Sequence, residues 1–105
     1  MRRGEVYRIK LPKGVGHEQG GGRYGVVLQS DAMLPRSTVL IAPTSQSAPP
    51  RSYRPEVTVD GAATRVLVEQ VGAYDVRRLG ERVGHLVGED IWGVDEALSV
   101  VLGLR

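Results

Sequence analysis

Apolar and polar positions alternate from Glu5 to Leu11, with Tyr7, Ile9 and Leu11 on one side and Val6, Arg8 and Lys10 on the other, the period of a half-buried β-strand. Arg23 opens a second strand, Tyr24-Gly25-Val26-Val27-Leu28-Gln29, whose unbroken apolar centre suits burial on both sides. Residues 31–36 read as a turn. Thr38-Val39-Leu40-Ile41-Ala42 is a third, β-branched strand that ends at Pro43, which has no N–H to give a ladder, so Thr44 stands at a strand end. Val57 and Val59 alternate with Glu56, Thr58 and Asp60; Asp60-Gly61 signals a turn, and Val66, Leu67 and Val68 lie in the returning strand. Residues 56–70 therefore form one hairpin with a four- or five-residue connection. Residues 83–87 make a short last strand. The period then changes: Ile91, Val94, Leu98, Val101 and Leu102 form one stripe of an amphipathic helix, stopped by Gly103.

Two stretches lack such patterning. Pro12 to Gly22 carries five glycines and reads as a mobile loop, and Ser45 to Tyr53 is polar and proline-rich. Short strands divided by turns, with no helix between the early ones, argue against a parallel α/β sheet and point to a mainly β antiparallel barrel with one C-terminal helix. At 105 residues the expectation is a single domain spanning 1–105, with no room for a separate cofactor domain. No apolar run approaches the roughly 20 residues of a membrane span, and the first residues lack the apolar stretch of a signal peptide. With no cysteine, disulfides and thiolate-bound zinc are excluded, and a cytoplasmic protein without membrane contact is the expectation.

Charge is divided unevenly. Residues 1–54 hold nine Lys/Arg against three Asp/Glu, whereas residues 55–105 hold five against nine. Twelve of the fourteen cations are arginines, whose planar fork suits phosphate, so the first half suggests a polyanionic partner or an ordinary soluble surface.

The densest chemistry is Gly20-Gly21-Gly22-Arg23 at a strand start, with the Thr44 hydroxyl at the end of the next strand. Glycines allow close approach to a phosphate, Arg23 offers charge to a phosphorane, and Thr44 can bond a non-bridging oxygen. On spacing alone, the plainer reading is the favoured one, with Arg23 solvating a strand edge and Thr44 capping a turn. His17 and His85 are a second pair for acid–base work, but Gly84-His85-Leu86 sits in an apolar run where a half-buried structural histidine is expected. Metal-ligand spacing is absent apart from Glu89-Asp90 and Asp95-Glu96, which the helix turns toward solvent. Tyr7 and Trp92 are expected in the core; Tyr53, beside Arg51 and Arg54, is the base-stacking candidate.

In order along nearly the whole chain, Arg3-Gly4-Glu5-Val6-Tyr7, Glu18-Gln19-Gly20-Gly21, Arg23 with Val26-Val27-Leu28-Gln29-Ser30-Asp31, and Ala42-Pro43-Thr44-Ser45 resemble MazF/PemK toxins. Glu69-Gln70-Val71, Arg78-Leu79-Gly80, Val83-Gly84-His85-Leu86 and Val94-Asp95-Glu96-Ala97-Leu98 continue the likeness. The resemblance implies an SH3-like barrel of the CcdB/MazF type and a metal-independent endoribonuclease without cofactor. It would be a homodimer with single-stranded RNA in the dimer groove, neutralised by a cognate, MazE-like antitoxin whose acidic tail covers that groove. It makes Arg23 and Thr44 the catalytic pair, with Glu18, Gln19, Gly20, Gly21, Ser45, Arg51, Tyr53 and Arg54 as the RNA-binding set. Two alternatives share the barrel: a non-catalytic RNA-binding protein, and a DNA gyrase poison of the CcdB type. The latter depends on an aromatic near the extreme C-terminus, where this chain has Val101-Leu102-Gly103-Leu104-Arg105.

Overall fold

A computed structural model describes residues 1–10 and 23–105; the expected loop 12–22, with His17, Glu18, Gln19, Gly20 and Gly21, lies outside the described residues. Among the described residues the strands are β1 Glu5–Ile9, β2 Arg23–Val27, β3 Thr38–Ser45, β4 Glu56–Val59, β5 Ala62–Val66, β6 Gly72–Asp75 and β7 Leu79–His85, followed by helix α1 Glu89–Val101. Every pairing is antiparallel, in the order β4-β5-β3-β2-β1-β7, with β6 on the first half of β3.

The apolar centre of β2 explains the curl. Val26 and Val27 are both fully buried but point to opposite faces, and each joins a different core. The second core gathers Ile9, Val27, Val39, Ile41 and Leu79, with Tyr7 and Tyr74 packed on it. Tyr74 on β6 and Leu79 on β7 come from the two outer strands of the run β6-β3-β2-β1-β7, yet share this cluster, so the run curls around it as a half-barrel. The first core lies on the other face, where Val6, Val26 and Ala42 meet Val57, Val59 and Val66 of the hairpin and Val94 and Ala97 of α1. Burying each such Val or Ile is worth roughly 1.5–3 kcal/mol relative to exposure. Gly25 lets the curl tighten: a Cβ there would stand 2.5 Å from Ile41 Cγ2 and 3.0 Å from Ile9 Cδ1.

Several boundaries differ from the sequence expectation. β3 does not stop at Ala42 but runs through Pro43 to Ser45. Pro43 is opposite Gly25 of β2, and its carbonyl accepts from Leu67 N at 2.8 Å on the other edge. That edge passes from β6, paired with residues 38–41, to β5, paired with 44 and 45, so the missing N–H falls between two ladders. The 56–70 hairpin turns on Asp60 and Gly61 alone, at φ 53 and 79, the two-residue turn favoured between twisted strands. Ala62-Ala63-Thr64, which look like loop, are held in the ladder by Val59, Thr58 and Val57. The returning strand ends at Val66, so Leu67 and Val68 both lie outside it, and Val68 opens a 3-10 turn, Val68–Gln70. β6 was not expected, because Gly-Ala-Tyr-Asp has no apolar period and is made a strand by its pairing with β3. β7 begins four residues before the expected start, at Leu79, and follows β1 through bulges.

The helix matches its stripe at Ile91, Val94, Leu98 and Val101, but Leu102 is exposed, and Ala97 joins the buried face. It ends where Gly103 and Leu104 donate their N–H groups to the carbonyls of Val100 and Ser99. Trp92, expected in the core, is 64% exposed, because it faces away from that stripe.

Candidate functional site

Arg23 begins β2, exposed, opposite Ile9 of β1. Thr44 is the penultimate residue of β3, opposite Val66 of β5, and is 3% exposed. Gly25–Pro43 is the last β2–β3 pair; Arg23 stands two residues beyond it and Thr44 one, at the same end of the two strands. Their faces differ. Arg23 shares a face with Ile9 of the second core, and Thr44 shares one with Val66 of the first. A phosphate touched by both must therefore lie across the rim of the sheet rather than flat on either face.

The segment after β3 frames this rim. Ser45, half-buried and opposite Arg65, has its hydroxyl 3.5 Å from that of Ser47. Arg51 is exposed and donates to the Pro50 carbonyl at 2.7 Å. The Tyr53 ring is half-buried on the first core, with the Arg54 guanidinium 5.7 Å from its centroid, so part of its surface serves packing. Arg54 is engaged inside the protein: Nε and Nη2 donate to Glu69 Oε2 at 2.9 and 2.7 Å, and Nη1 donates to the Pro49 carbonyl at 3.2 Å. Burial favours the neutral form of Glu69, but the Arg54 hydrogen bonds and a backbone N–H outweigh it and hold the carboxyl below its usual range. The hydrogen bond from Arg54 to Glu69 raises the guanidinium's own pKa. Arg65 adds a further link, donating to the Arg54 carbonyl at 2.9 Å. Glu69 and Arg65 carried no assigned role in the sequence; their opposed charges were visible, but their convergence needs the hairpin to fold.

Ion pairs also revise the charge picture. Arg3, Arg8 and Arg54 from the basic half pair with Asp95, Glu81 and Glu69 from the acidic half. Three of the nine cations of the first half are thus engaged in joining the two halves of the chain, and Arg82 of the second half pairs with Glu5 of the first. Arg77 holds Asp75 at a pKa of about 2, and Glu96 binds Arg105. Among the described residues, Arg23 and Arg51 stand near the β3 end without a carboxylate at ion-pair distance.

At the opposite end of β1, Glu5 is buried and accepts from Arg2 N and Tyr7 Oη at 2.8 Å each and from Arg82 Nη1 at 2.9 Å. Burial opposes its charge, yet these donors keep its pKa lowered, while burial and the adjacent carboxylate push the Tyr7 phenol up to about 12. His85 is exposed rather than half-buried, since it alternates outward on the outer strand β7, and its Nε2 lies 3.2 Å from the Arg3 carbonyl.

The family model for PemK-like, MazF-like toxins of type II toxin–antitoxin systems matches residues 2–102. A candidate toxin of Mycobacterium tuberculosis is 40% identical over 104 residues, covering 97% of each chain. The endoribonuclease EndoA of Bacillus subtilis is 32% identical over 111 residues, covering 99% of this chain and 96% of its own. Among solved structures, a mycobacterial endoribonuclease in complex with its cognate antitoxin superposes with a TM-score of 0.82 at 18% identity, covering 100% of this chain and 97% of that one. A MazE–MazF structure from Deinococcus radiodurans gives 0.77 at 24% identity, with the same coverage.

Proposed function

Because the chain belongs to the PemK-like, MazF-like toxins of type II toxin–antitoxin systems, and is an endoribonuclease of that family, we propose that it cuts single-stranded RNA at the rim holding Arg23 and Thr44. The observation that carries this reading is the arrival of an exposed guanidinium and a hydroxyl at one end of adjacent strands, just past the Gly25–Pro43 pair. The RNA 2′-hydroxyl attacks the adjacent phosphorus. A bond forms from O2′ to phosphorus, the bond to O5′ breaks, and the proton lost from O2′ is balanced by one gained at O5′. The products are a 2′,3′-cyclic phosphate and a 5′-hydroxyl. No water and no metal ion is required for that exchange. The Arg23 guanidinium stabilises the charge that builds on the phosphorane, and Thr44 donates to a non-bridging oxygen.

Arg51 and Tyr53 meet the strand beside the cut, Ser45 lines the rim, and Arg54 acts through the position of its loop. Glu18, Gln19, Gly20 and Gly21, which precede Arg23 in the sequence, belong to the proposed RNA-binding set. The chain works as a cytoplasmic homodimer, two copies lining one RNA groove. A cognate antitoxin places an acidic segment over the same cations. Among the described residues no helix is long and apolar enough to cross a membrane. Neither alternative is favoured, since the relative at 32% identity is an endoribonuclease.

The test is cleavage of a long defined RNA in the presence of EDTA, with every new end mapped and its chemistry determined. Cyclic phosphates at a restricted set of sites, lost in Arg23→Ala, are the expected result. Arg23→Ala that cleaves like the parent eliminates the assignment, and binding without new ends would leave an RNA-binding barrel.

A further inference from the structure

The Arg54–Glu69 pair is built more elaborately than packing requires. The hairpin and the turn after it are already anchored by Val57, Val66 and Val68, all essentially buried. Against that core the side chains of Arg54 and Glu69 are 17% and 25% exposed, and Glu69 Oε1 is shielded with no hydrogen-bond partner among the described residues. A shielded ion pair with an unsatisfied oxygen is a poor choice for stability alone, since a well-packed apolar pair commonly does as well or better. What it does supply is position.

The ties converge on one place. Arg54 reaches Glu69 and the Pro49 carbonyl, Arg65 reaches the Arg54 carbonyl, and Val66 N donates to the Pro55 carbonyl at 3.0 Å. Arg65 and Val66 are the residues paired with Ser45 and Thr44. The segment from Pro49 to Pro55 is therefore clamped at its end, through Arg54 and Pro55, to the residues alongside the proposed phosphate site, and Arg54 in turn holds its start at Pro49. Pro49, Pro50 and Pro55 limit its backbone further.

We propose that Glu69 is a positioning residue for RNA selection: by gripping Arg54 it sets the 46–55 segment over the end of β3, so that Arg51 and Tyr53 meet the nucleotides flanking the phosphate at Thr44. This rests on the RNA-cleaving reading and adds to it a determinant outside the catalytic pair. The grip is charge-assisted, and two N–H groups of the planar guanidinium converge on the single oxygen Oε2, so both the position and the plane of the Arg54 head are fixed. Loosened, the loop still carries its cation and its ring, but it must be ordered each time RNA binds, and that cost falls on affinity rather than on the bond exchange.

The full-length chain carrying Glu69→Gln is compared with the parent on a short single-stranded RNA containing a mapped site, with kcat and KM measured separately, and on a long RNA with all cuts sequenced. The expected result is KM raised about tenfold, the scale of one lost charge-assisted hydrogen bond, with kcat within about threefold and a broader set of cut sequences. The double exchange Arg54→Glu with Glu69→Arg should recover most of the KM and narrow the cut set again, and the KM-against-kcat split separates positioning from a merely structural loss, which would lower kcat as well. Should Glu69→Gln melt below the assay temperature, Arg54→Lys, which keeps the charge and loses the fork, gives the same reading through the same split. Unchanged KM and cut set in a folded variant, with Arg23→Ala inactive, would overturn the positioning role and leave the catalytic site standing. Parent-like cleavage by Arg23→Ala would instead overturn both.

Discussion

Thr44 is the residue at which the proposed catalytic role and packing are hardest to separate, because it is both nearly buried and at the sheet's rim. Thr44→Val keeps the shape and removes only the hydroxyl. Single-turnover cleavage should slow about 10²-fold, in the range for losing one donor to a developing oxyanion, while the melting temperature stays within a few degrees. A second residue-scale expectation follows from Tyr7. Its phenol is raised from 10.0 to about 12, first by burial and then by Glu5, so the folded state keeps its proton longer than the unfolded chain does. That stability is fully present below pH 10 and is lost as the pH rises from 10 toward 12. Thermal melts across this window should show the loss in the parent and a flatter curve in Tyr7→Phe. Glu5 works in the opposite sense: its lowered pKa contributes stability above the unfolded value, near 4.5, lost as the pH falls through the folded one.

At the scale of the elements, the crossing of β1, β2 and β3 depends on the space that Gly25 leaves for Ile41 and Ile9. Gly25→Ala should destabilise the chain by about 1–3 kcal/mol, since the added methyl meets branched side chains on a packed sheet rather than a flexible tip. Chemical denaturation measures this, with a lowered midpoint and little change in slope. The elements that could be read directly were those with a strong period, β1, the strands around Asp60-Gly61 and the stripe of α1, together with β2, whose apolar centre is unbroken. β6 was not, because its four residues gain strand geometry only from β3 alongside, and β3 itself overran Pro43 because two different strands share its edge. Both are tertiary effects on backbone hydrogen bonds.

For the molecule as a whole, electrostatics decides which charges remain for RNA. Arg3, Arg8 and Arg54 are spent on carboxylates from the second half, whereas Arg51 faces outward. Arg51→Ala should therefore weaken RNA binding and reduce the slope of log affinity against log salt by about 0.7, the release of one counterion from a single strand. Arg8→Ala should leave that slope unchanged. Fluorescence titrations of a labelled, uncleavable RNA over a salt series would measure both. Sedimentation should give about twice the 11.4 kDa chain mass if two copies form the groove.

The order of residues by itself determined the class of fold, the stripe of the helix, the family and the chemical types gathered around Arg23 and Thr44. These are local or cumulative properties: periodicity, turn chemistry and motifs met in sequence need no knowledge of distant contacts. Only the tertiary structure decided that Arg23 and Thr44 share a rim but not a face, that Arg54 is held by Glu69, and that His85 and Trp92 lie outside the cores. Each of those depends on strand register or on charges brought together by the hairpin. One residue of register reverses every side chain in a strand, so no reading of composition could have chosen between the faces.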